Sequence, residues 1–299
     1  MDPWHRGMGD SALRMQIVAG SAAGIFADFI THPVSTIKTR LQIQGSGGGL
    51  HGAVSYRGVT HALLHILRNE GPFALYRGLG VVVVGAAPAQ GLYFGSYEAA
   101  KKSLGGGHSG NFAAGVCAQL AGSVAWVPVE VVKERLQVEG QVKAATAYSG
   151  SFDAFRKILQ HEGVVGLYRS FPIHQVPWIP FNGCYFAVYE KLKEMSLDAG
   201  YADANGNLDP VAQLSCGTTA GVAAGLVTNP VDVLKTRLQV ANANPDMFPY
   251  SSGFGAAQHL LQHEGAAALM DGALARVLWL TPRLTLCVFA YERMKSHLF

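Results

Sequence analysis

Hydrophobic and polar positions along this chain follow one pattern three times. A glycine-containing apolar helix, such as "AGSAAGIFADFITHP" at 19–33, passes a proline and continues amphipathically into a Leu-Gln pair. A shorter amphipathic helix follows, as in "SFDAFRKILQHEG" at 151–163, and then a second long apolar helix. The pattern predicts a long, a short and a long helix in each third, so six long helices with both chain termini on one side.

Three landmarks recur in the same order in each third, so the pattern is an internal repeat. The proline of the first long helix recurs after 95 and then 102 residues, and a Glu-Gly pair recurs after 92 and then 102 residues. The phrases "SYEAAK", "VYEKLK" and "AYERMK" share the Glu-Gly spacing. The landmarks divide the chain into repeats 11–103, 110–197 and 209–298. Helix kinks are predicted at Pro33, Pro128 and Pro230.

The composition places the long helices in a membrane. Hydrophobic residues make up 49% of the 299 residues and charged residues 14%, against roughly 25% charged residues in soluble domains. Glycine, proline and isolated charges interrupt the apolar segments, and charges in lipid are costly unless they face a bundle interior or a water-filled cavity. The sequence therefore predicts interrupted helices around a polar centre, as in transporters. The net charge of +3 is too small to indicate a nucleic-acid partner.

Each proline of the first long helices lies in a near-identical phrase: "HPVSTIKTRLQIQG", "VPVEVVKERLQVEG" and "NPVDVLKTRLQVAN". In two copies an acid follows the proline by two residues, and in all three a lysine follows it by five. Positions three apart lie on one face of a helix. Threefold repetition would bring the three faces together below the kinks, where each acid can meet the lysine of another repeat. The phrase predicts a ring of ion pairs across a central pore.

These phrases, the Glu-Gly pair and the closing aromatic-acid-x-x-base phrase together resemble the mitochondrial carrier family over essentially the whole chain. The resemblance implies one all-α membrane domain over residues 1–299, built as a threefold pseudosymmetric barrel of six transmembrane helices with three short matrix-side amphipathic helices. It implies a multi-pass protein of the mitochondrial inner membrane, expected to be monomeric. It also implies alternating-access transport of a small-molecule solute through one central site.

By this resemblance, the ring of the proline phrases is a gate on the matrix side. It is expected to comprise Lys38, Glu130, Lys133, Asp232 and Lys235, with Gln42, Gln137 and Gln239 as braces one turn below. The expected pairs are Asp232 with Lys38 and Glu130 with Lys235. Lys133 would need an acid at position 35, which is Ser35. A ring that is one pair short is expected to shift the resting carrier towards its matrix-open state.

The closing phrases imply a second gate on the cytoplasmic side, with all its charges present. Its members are Glu98, Lys101, Glu190, Lys193, Glu292 and Lys295, with Tyr97, Tyr189 and Tyr291 as braces. Cardiolipin is the one bound lipid that the resemblance implies, at the helix starts "LYRG" and "LYRS". The third copy, "LMDG", has Asp271 in the cationic place. No other cofactor is expected.

Substrate contacts are expected on the second long helices, about three residues before their prolines and one turn beyond, and on the first long helix at Asp28, five residues before its proline. The candidates are Asp28, Gly85, Gln90, Trp178, Asn182, Trp279 and Arg283. An isolated Asp and an isolated Arg inside a membrane indicate a functional site. They could equally form a structural pair, or Arg283 could extend towards the headgroups. Arg276 is expected just below this site.

The second long helices look most like those of mitoferrins and S-adenosylmethionine carriers. Mitoferrins, however, have His where this chain has Gln90 and Met-rich residues where it has "GVVVVG", so soft metal ligands are missing. A small polar or zwitterionic metabolite contacted by Asp28 and Arg283 is the substrate least contradicted by the residues. An iron or S-adenosylmethionine-type carrier is one alternative. A homologue that no longer transports and serves as a membrane receptor or scaffold is another.

Other motifs do not support enzymatic or metal chemistry. "HALLH" has the spacing of a zinc-binding pair in His61 and His65 but lacks a Glu between them. "DANGNLD" at 203–209 is similar to a calcium loop, yet its glycine and its twelfth residue do not fit. No nucleophile–base arrangement indicates an enzyme. The sequence predicts a carrier without a metal site.

Overall fold

The computed structural model describes residues 10–44, 54–104, 108–141, 148–201, 208–241 and 248–298. These residues form the helices α1 (Asp10–Ile43), α2 (Val59–Asn69), α3 (Leu79–Leu104), α4 (His108–Val138), α5 (Ser151–Tyr168), α6 (Phe171–Gln175), α7 (Trp178–Asp198), α8 (Pro210–Val227), α9 (Asn229–Ala241), α10 (Gly253–His263) and α11 (Ala273–Leu298). Short 3₁₀ helices, Pro72–Tyr76 and Ala266–Met270, lead into α3 and α11.

The helices repeat a long–short–long order three times. Repeat one is α1, α2 and α3; repeat two is α4, α5 and the segmented helix α6–α7; repeat three is the segmented helix α8–α9, then α10 and α11. Consecutive long helices pack side by side, and α11 packs against α1, so the ring closes. The predicted all-α, threefold-repeat fold is confirmed.

Local sequence explains where the third repeat begins its helices. Pro210 occupies the first turn of α8, where its missing N–H costs nothing. Asp209 caps the same helix by accepting hydrogen bonds from the backbone N–H groups of Val211 and Ala212. Ser252 caps α10 in the same way, accepting from the N–H of Gly255. The starts of α8 and α10 are therefore fixed by side-chain chemistry.

The predicted proline kinks differ among the repeats. Pro33 and Pro128 lie inside the continuous helices α1 and α4. At Pro230 the helix breaks: α8 ends at Val227, α9 begins at Asn229, and the two segments are bent by 60°. The backbone turns there because Thr228 leaves the helical conformation while its N–H still bonds back to the Ala224 carbonyl.

Polar side chains are buried and apolar side chains are exposed, the reverse of a soluble domain. The largest fully buried side chains include Arg40, Arg135 and Arg237, while Phe112 and Val227 are more than 60% exposed. Over the described residues, two helices have the length and composition to cross a membrane, Pro72–Leu104 and Phe112–Val138. The bent pair Val211–Val227 and Asn229–Ala241 would make a third span.

Candidate functional site: a closed ring beneath a charged cavity

The structure brings together the two ion pairs predicted for the matrix ring. Lys38 Nζ lies 2.8 Å from Asp232 Oδ2, and Lys235 Nζ lies 2.7 Å from Glu130 Oε1. All four side chains are buried, and each pair joins helices of different repeats. Buried pairs of this kind leave an uncompensated charge when one partner is removed, so they hold the helices together strongly.

The predicted glutamine braces lie directly on these pairs. Gln42 donates to Asp232 Oδ2 at 3.0 Å, and Gln239 donates to Glu130 Oε2 at 3.0 Å. The third brace, Gln137, meets no carboxylate of the described residues and lies 3.3 Å from the hydroxyl of Ser35. Two of the braces therefore donate to a ring carboxylate, and the longest brace contact is the one to Ser35, where the acid is missing.

The prediction that Lys133 has no acidic partner is wrong. Lys133 Nζ lies 3.7 Å from Glu134 Oε1, a carboxylate of the same helix whose side chain is 1% exposed. The repeat pattern places the ring carboxylate at position 35, so it predicts a partner for Lys133 only at that position. Adjacent residues on a helix do not normally face each other, which is why the pair was not anticipated.

Each ring carboxylate also meets a base from the second long helix of its own repeat. His174 Nδ1 lies 2.9 Å from Glu130 Oε2, and Arg276 Nε lies 3.6 Å from Asp232 Oδ2. His174 and Arg276 both stand six residues before the proline of their helix, and the same position in repeat one is Val82. Arg276 therefore belongs to the ring, and the repeat that lacks the acid lacks this base as well.

Three buried arginines form a set that the sequence analysis missed. Each donates two hydrogen bonds to the Glu of its own Glu-Gly pair and a third to a glutamine carbonyl of another repeat. The glutamate partners of Arg40, Arg135 and Arg237 are Glu70, Glu162 and Glu264, and the carbonyls belong to Gln137, Gln239 and Gln42. The sequence does contain a pattern that indicates this set, because an arginine follows each ring lysine by two residues, as "TR" or "ER".

Asp28 and Arg283, predicted as separate substrate contacts, form an ion pair. Arg283 Nε donates to Asp28 Oδ1 at 2.6 Å, joining α1 to α11. The pair lines a small pocket that is partly open to solvent, together with Gln90 and Trp126. This contact fits both interpretations of the sequence, in which Asp28 and Arg283 form a structural ion pair or bind the substrate. One acid and one base border the same space.

Trp279 connects this cavity to the ring. Lys38 Nζ lies 5.1 Å from the centre of its ring system, and the guanidinium carbon of Arg283 lies 5.6 Å from it. Both distances suit cation–π attraction. A side chain of the gate and a side chain of the cavity therefore contact one indole.

The remaining cavity candidates differ in position. Gly85 is buried against α4, where a Cβ would lie 2.2 Å from Val129 Cγ2, so this glycine allows close helix packing at a place predicted for substrate. Asn182 is exposed on α7. The side chain of Trp178 lies outside the described residues.

The predicted cytoplasmic ring is open among the side chains that the structure describes. Glu98 and Lys193, an expected pair, form no ion pair in this described set, and Lys193 Nζ lies 3.9 Å from Glu190 of its own helix. Lys101 lies over the ring of Tyr97 at 5.6 Å, and Tyr189 stacks on Tyr185. The side chains of Tyr291, Glu292 and Lys295 lie outside the described part. The matrix ring is closed, and the one cytoplasmic pair whose two side chains are both described is apart; the expected shift of the resting carrier towards its matrix-open state stays a prediction.

The helix starts predicted to bind cardiolipin make protein contacts. Arg77 Nη1 donates to Glu70 Oε2 at 3.0 Å and to the Glu139 carbonyl at 2.7 Å, and Arg169 donates to the Ser251 carbonyl. Asp271 lies 3.7 Å from Arg237, and partial burial raises the pKa of this carboxyl to about 6. Lipid binding at these positions stays a prediction.

A six-helix bundle with a polar centre, a charged cavity and a closed ion-pair ring at one end defines a membrane solute carrier. The family model described as mitochondrial carrier protein matches residues 10–108, 106–199 and 206–299. The chain belongs to the mitochondrial carrier family, as its motifs predicted.

Named relatives cover nearly the whole chain. Mitochondrial substrate carrier family protein E of Dictyostelium discoideum is 36% identical over 94% of this chain and 95% of that protein. Human Mitoferrin-2 is 33% identical over 93% of this chain and 76% of its own length. The rat electrogenic aspartate/glutamate antiporter SLC25A12 is 32% identical over 96% of this chain, which corresponds to 41% of the antiporter.

Proposed function

We propose that this protein carries a small zwitterionic or polar metabolite across the mitochondrial inner membrane by alternating access. The observation that carries the proposal is the Asp28–Arg283 pair on the wall of the central cavity. The matrix ring closes the space beneath it. Membership of the mitochondrial carrier family supports alternating access as the mechanism and the mitochondrial inner membrane as the location.

A zwitterion can replace each half of this pair without leaving a buried charge alone. Its carboxylate would accept from Arg283 while its ammonium group would donate to Asp28. The cost of separating the protein pair would then be offset by two new charge-assisted hydrogen bonds. Trp126, which lines the same cavity, offers aromatic surface to the rest of the solute.

An iron-type substrate is the second candidate, because one relative is named Mitoferrin-2. Metal transport needs several oxygen, nitrogen or sulfur ligands converging on one point. Among the described residues, no group of three or more His, Cys, Asp and Glu side chains converges in this way. The pairing of the cavity acid with Arg283 favours the zwitterion, and uptake assays distinguish the two.

The test is uptake into proteoliposomes that contain the purified protein, using a panel of amino acids, other zwitterions, polar metabolites and Fe²⁺. We expect a zwitterion to be transported, and both Arg283→Ala and Asp28→Asn to reduce its uptake by about ten- to a hundredfold, because each removes a charge-assisted contact of roughly 1.5–3 kcal/mol. Fe²⁺ uptake without zwitterion uptake would overturn the proposal.

The matched control is Asp153→Asn, which removes an exposed acid that pairs with Lys157 at 2.9 Å on α5. This variant should transport as the wild type does. Uptake unchanged by Arg283→Ala would remove Arg283 from the site. A folded protein that moves no member of the panel and binds none would support the receptor or scaffold alternative.

A further inference from the structure

Glu134 stands at a position where the other two repeats have a threonine. Thr39 and Thr236 each follow their ring lysine by one residue, as Glu134 follows Lys133. Each threonine donates a hydrogen bond to the side-chain oxygen of a glutamine in another repeat: Thr39 to Gln137 and Thr236 to Gln42, both at 2.9 Å. This position therefore lies where two repeats meet.

The glutamate breaks that pattern and leaves two buried oxygens without hydrogen bonds. Gln239 is the third glutamine of the set, and its Oε1 accepts no hydrogen bond in the part of the chain described. The same holds for Glu134 Oε2. An ionised carboxylate cannot donate the bond that a threonine hydroxyl donates. A buried carboxylate at this place is costly unless nearby cations compensate its charge.

The compensating cations are the lysines of the ring. Lys133 Nζ lies 3.7 Å from Glu134 Oε1, and the charge of Glu134 also acts on Lys38 and Lys235. The ring holds three lysines but only two carboxylates, Glu130 and Asp232, because position 35 is a serine. Glu134 is the third carboxylate.

We propose that Glu134 replaces the acid that is missing at position 35 and is the third acidic residue of the matrix gate. Its partner Lys133 belongs to the same helix, unlike the partners of Glu130 and Asp232. The Lys133–Glu134 pair therefore moves with α4 as a unit and stays intact when the repeats separate. Lys133 is never left without a counter-charge in either state.

The interface between repeats one and two consequently contains no ion pair of the ring. It is closed by hydrogen bonds of Gln137, which donates to Ser35 at 3.3 Å, accepts from Thr39 at 2.9 Å and accepts from Arg40 through its carbonyl at 2.8 Å. Opening the matrix gate separates two ion pairs of the ring instead of three. This gating consequence rests on the proposed transport function, whereas the pairing of Glu134 does not.

A stability cycle tests the pairing. The variants are Glu134→Thr, Ser35→Asp and both together, with Tm measured on the purified protein in detergent. We expect Glu134→Thr to lower Tm, because Lys133 loses its acid, and Ser35→Asp to raise Tm much more in the Glu134→Thr protein than in the wild type. Residues that share a partner show such non-additivity. Ser35→Asn is the matched control without charge and should not rescue.

Equal effects of Ser35→Asp in the two backgrounds would overturn the proposal, because Glu134 would then not be the partner that position 35 replaces. If Glu134→Thr alone does not fold, folding of the double variant supports the proposal. Failure of both to fold would mean that Glu134 serves another purpose, and would also overturn it.

A labelling experiment tests the gating consequence separately. The double variant has the acid at position 35 and should have three pairs that join repeats, so its cytoplasmic-open state should be favoured about three- to tenfold over the wild type. The measurement is the rate at which the Gln90→Cys variant reacts with an impermeant thiol reagent added from each side. An unchanged ratio, together with a positive stability cycle, would overturn the gating consequence alone.

Discussion

At the residue scale, Trp279 is a side chain through which the cavity can influence the gate. Its indole lies within cation–π distance of Lys38 in the ring and of Arg283 in the cavity. A solute that draws Arg283 away would change the environment of the same ring system that Lys38 contacts. The indole therefore gives substrate binding a physical route to the nearest ion pair of the ring, Lys38–Asp232.

Replacing Trp279 with Leu should weaken both the closed gate and transport. The cation–π contacts are each worth about 0.5–2 kcal/mol, so we expect a lower Tm and a several-fold lower uptake rate. Trp279→Phe keeps an aromatic face and should give an intermediate result. Thermal unfolding in detergent and uptake into proteoliposomes are the measurements. If Leu and Phe behave alike, the indole contributes packing and not attraction to the cations.

At the scale of elements, the buried arginines attach each short matrix-side helix to its neighbours. Arg237 of α9 holds Glu264 at the end of α10 and, through Nε, the Gln42 carbonyl of α1. One guanidinium thus joins three helices from two repeats. The planar group suits this, because it can bind a carboxylate with two nitrogens and still donate a third hydrogen bond.

Glu264→Gln should destabilise the protein by about 3 kcal/mol, since it leaves the buried Arg237 with only the more distant carboxylate of Asp271, 3.7 Å away, as a counter-charge. The expected result is a clearly lower Tm, measured by thermal unfolding in detergent. Glu194→Gln is the control, because Glu194 pairs with Lys191 in an exposed contact and such pairs contribute about 0–1 kcal/mol. Equal losses in the two variants would show that the arginine is held by its carbonyl contacts alone.

The helices themselves were predictable because the period of the hydrophobic residues and the positions of proline and glycine determine local backbone structure. The three repeats, the short helices and the pairs Lys38–Asp232 and Lys235–Glu130 follow from spacing and symmetry. Glu134 could not be found this way, because symmetry predicts only what the copies share. Asp28 and Arg283 are 255 residues apart, and nothing local indicates that they meet.

At the scale of the whole molecule, the structure is closed at the matrix ring by the pairs Lys38–Asp232 and Lys235–Glu130. The predicted weakness of that ring did not prevent closure, since buried Arg contacts with carbonyls of other repeats add to it. The ring is one part of a wider network. The state of the carrier therefore follows from the sum of these contacts.

A cysteine placed at Gln90, which lines the cavity, should react with an impermeant thiol reagent from the cytoplasmic side and not from the matrix side. The background needs all four native cysteines replaced, since Cys117 is exposed. The readout is the labelled fraction over time in vesicles of known orientation. Equal labelling from both sides would mean that the empty carrier samples both states.

The adjacent pair Lys133–Glu134 also bears on the order in which two substitutions occurred in this chain. If the three repeats began as copies of one segment, position 35 was once acidic and position 134 was once a threonine, as in the sister copies. Two substitutions separate that ancestor from this chain, and their order matters. Losing the acid at 35 first passes through a protein with Lys133 bare, whereas gaining Glu134 first adds a carboxylate among existing cations. The path that never leaves Lys133 without a neighbouring carboxylate is therefore the one in which Glu134 precedes Ser35.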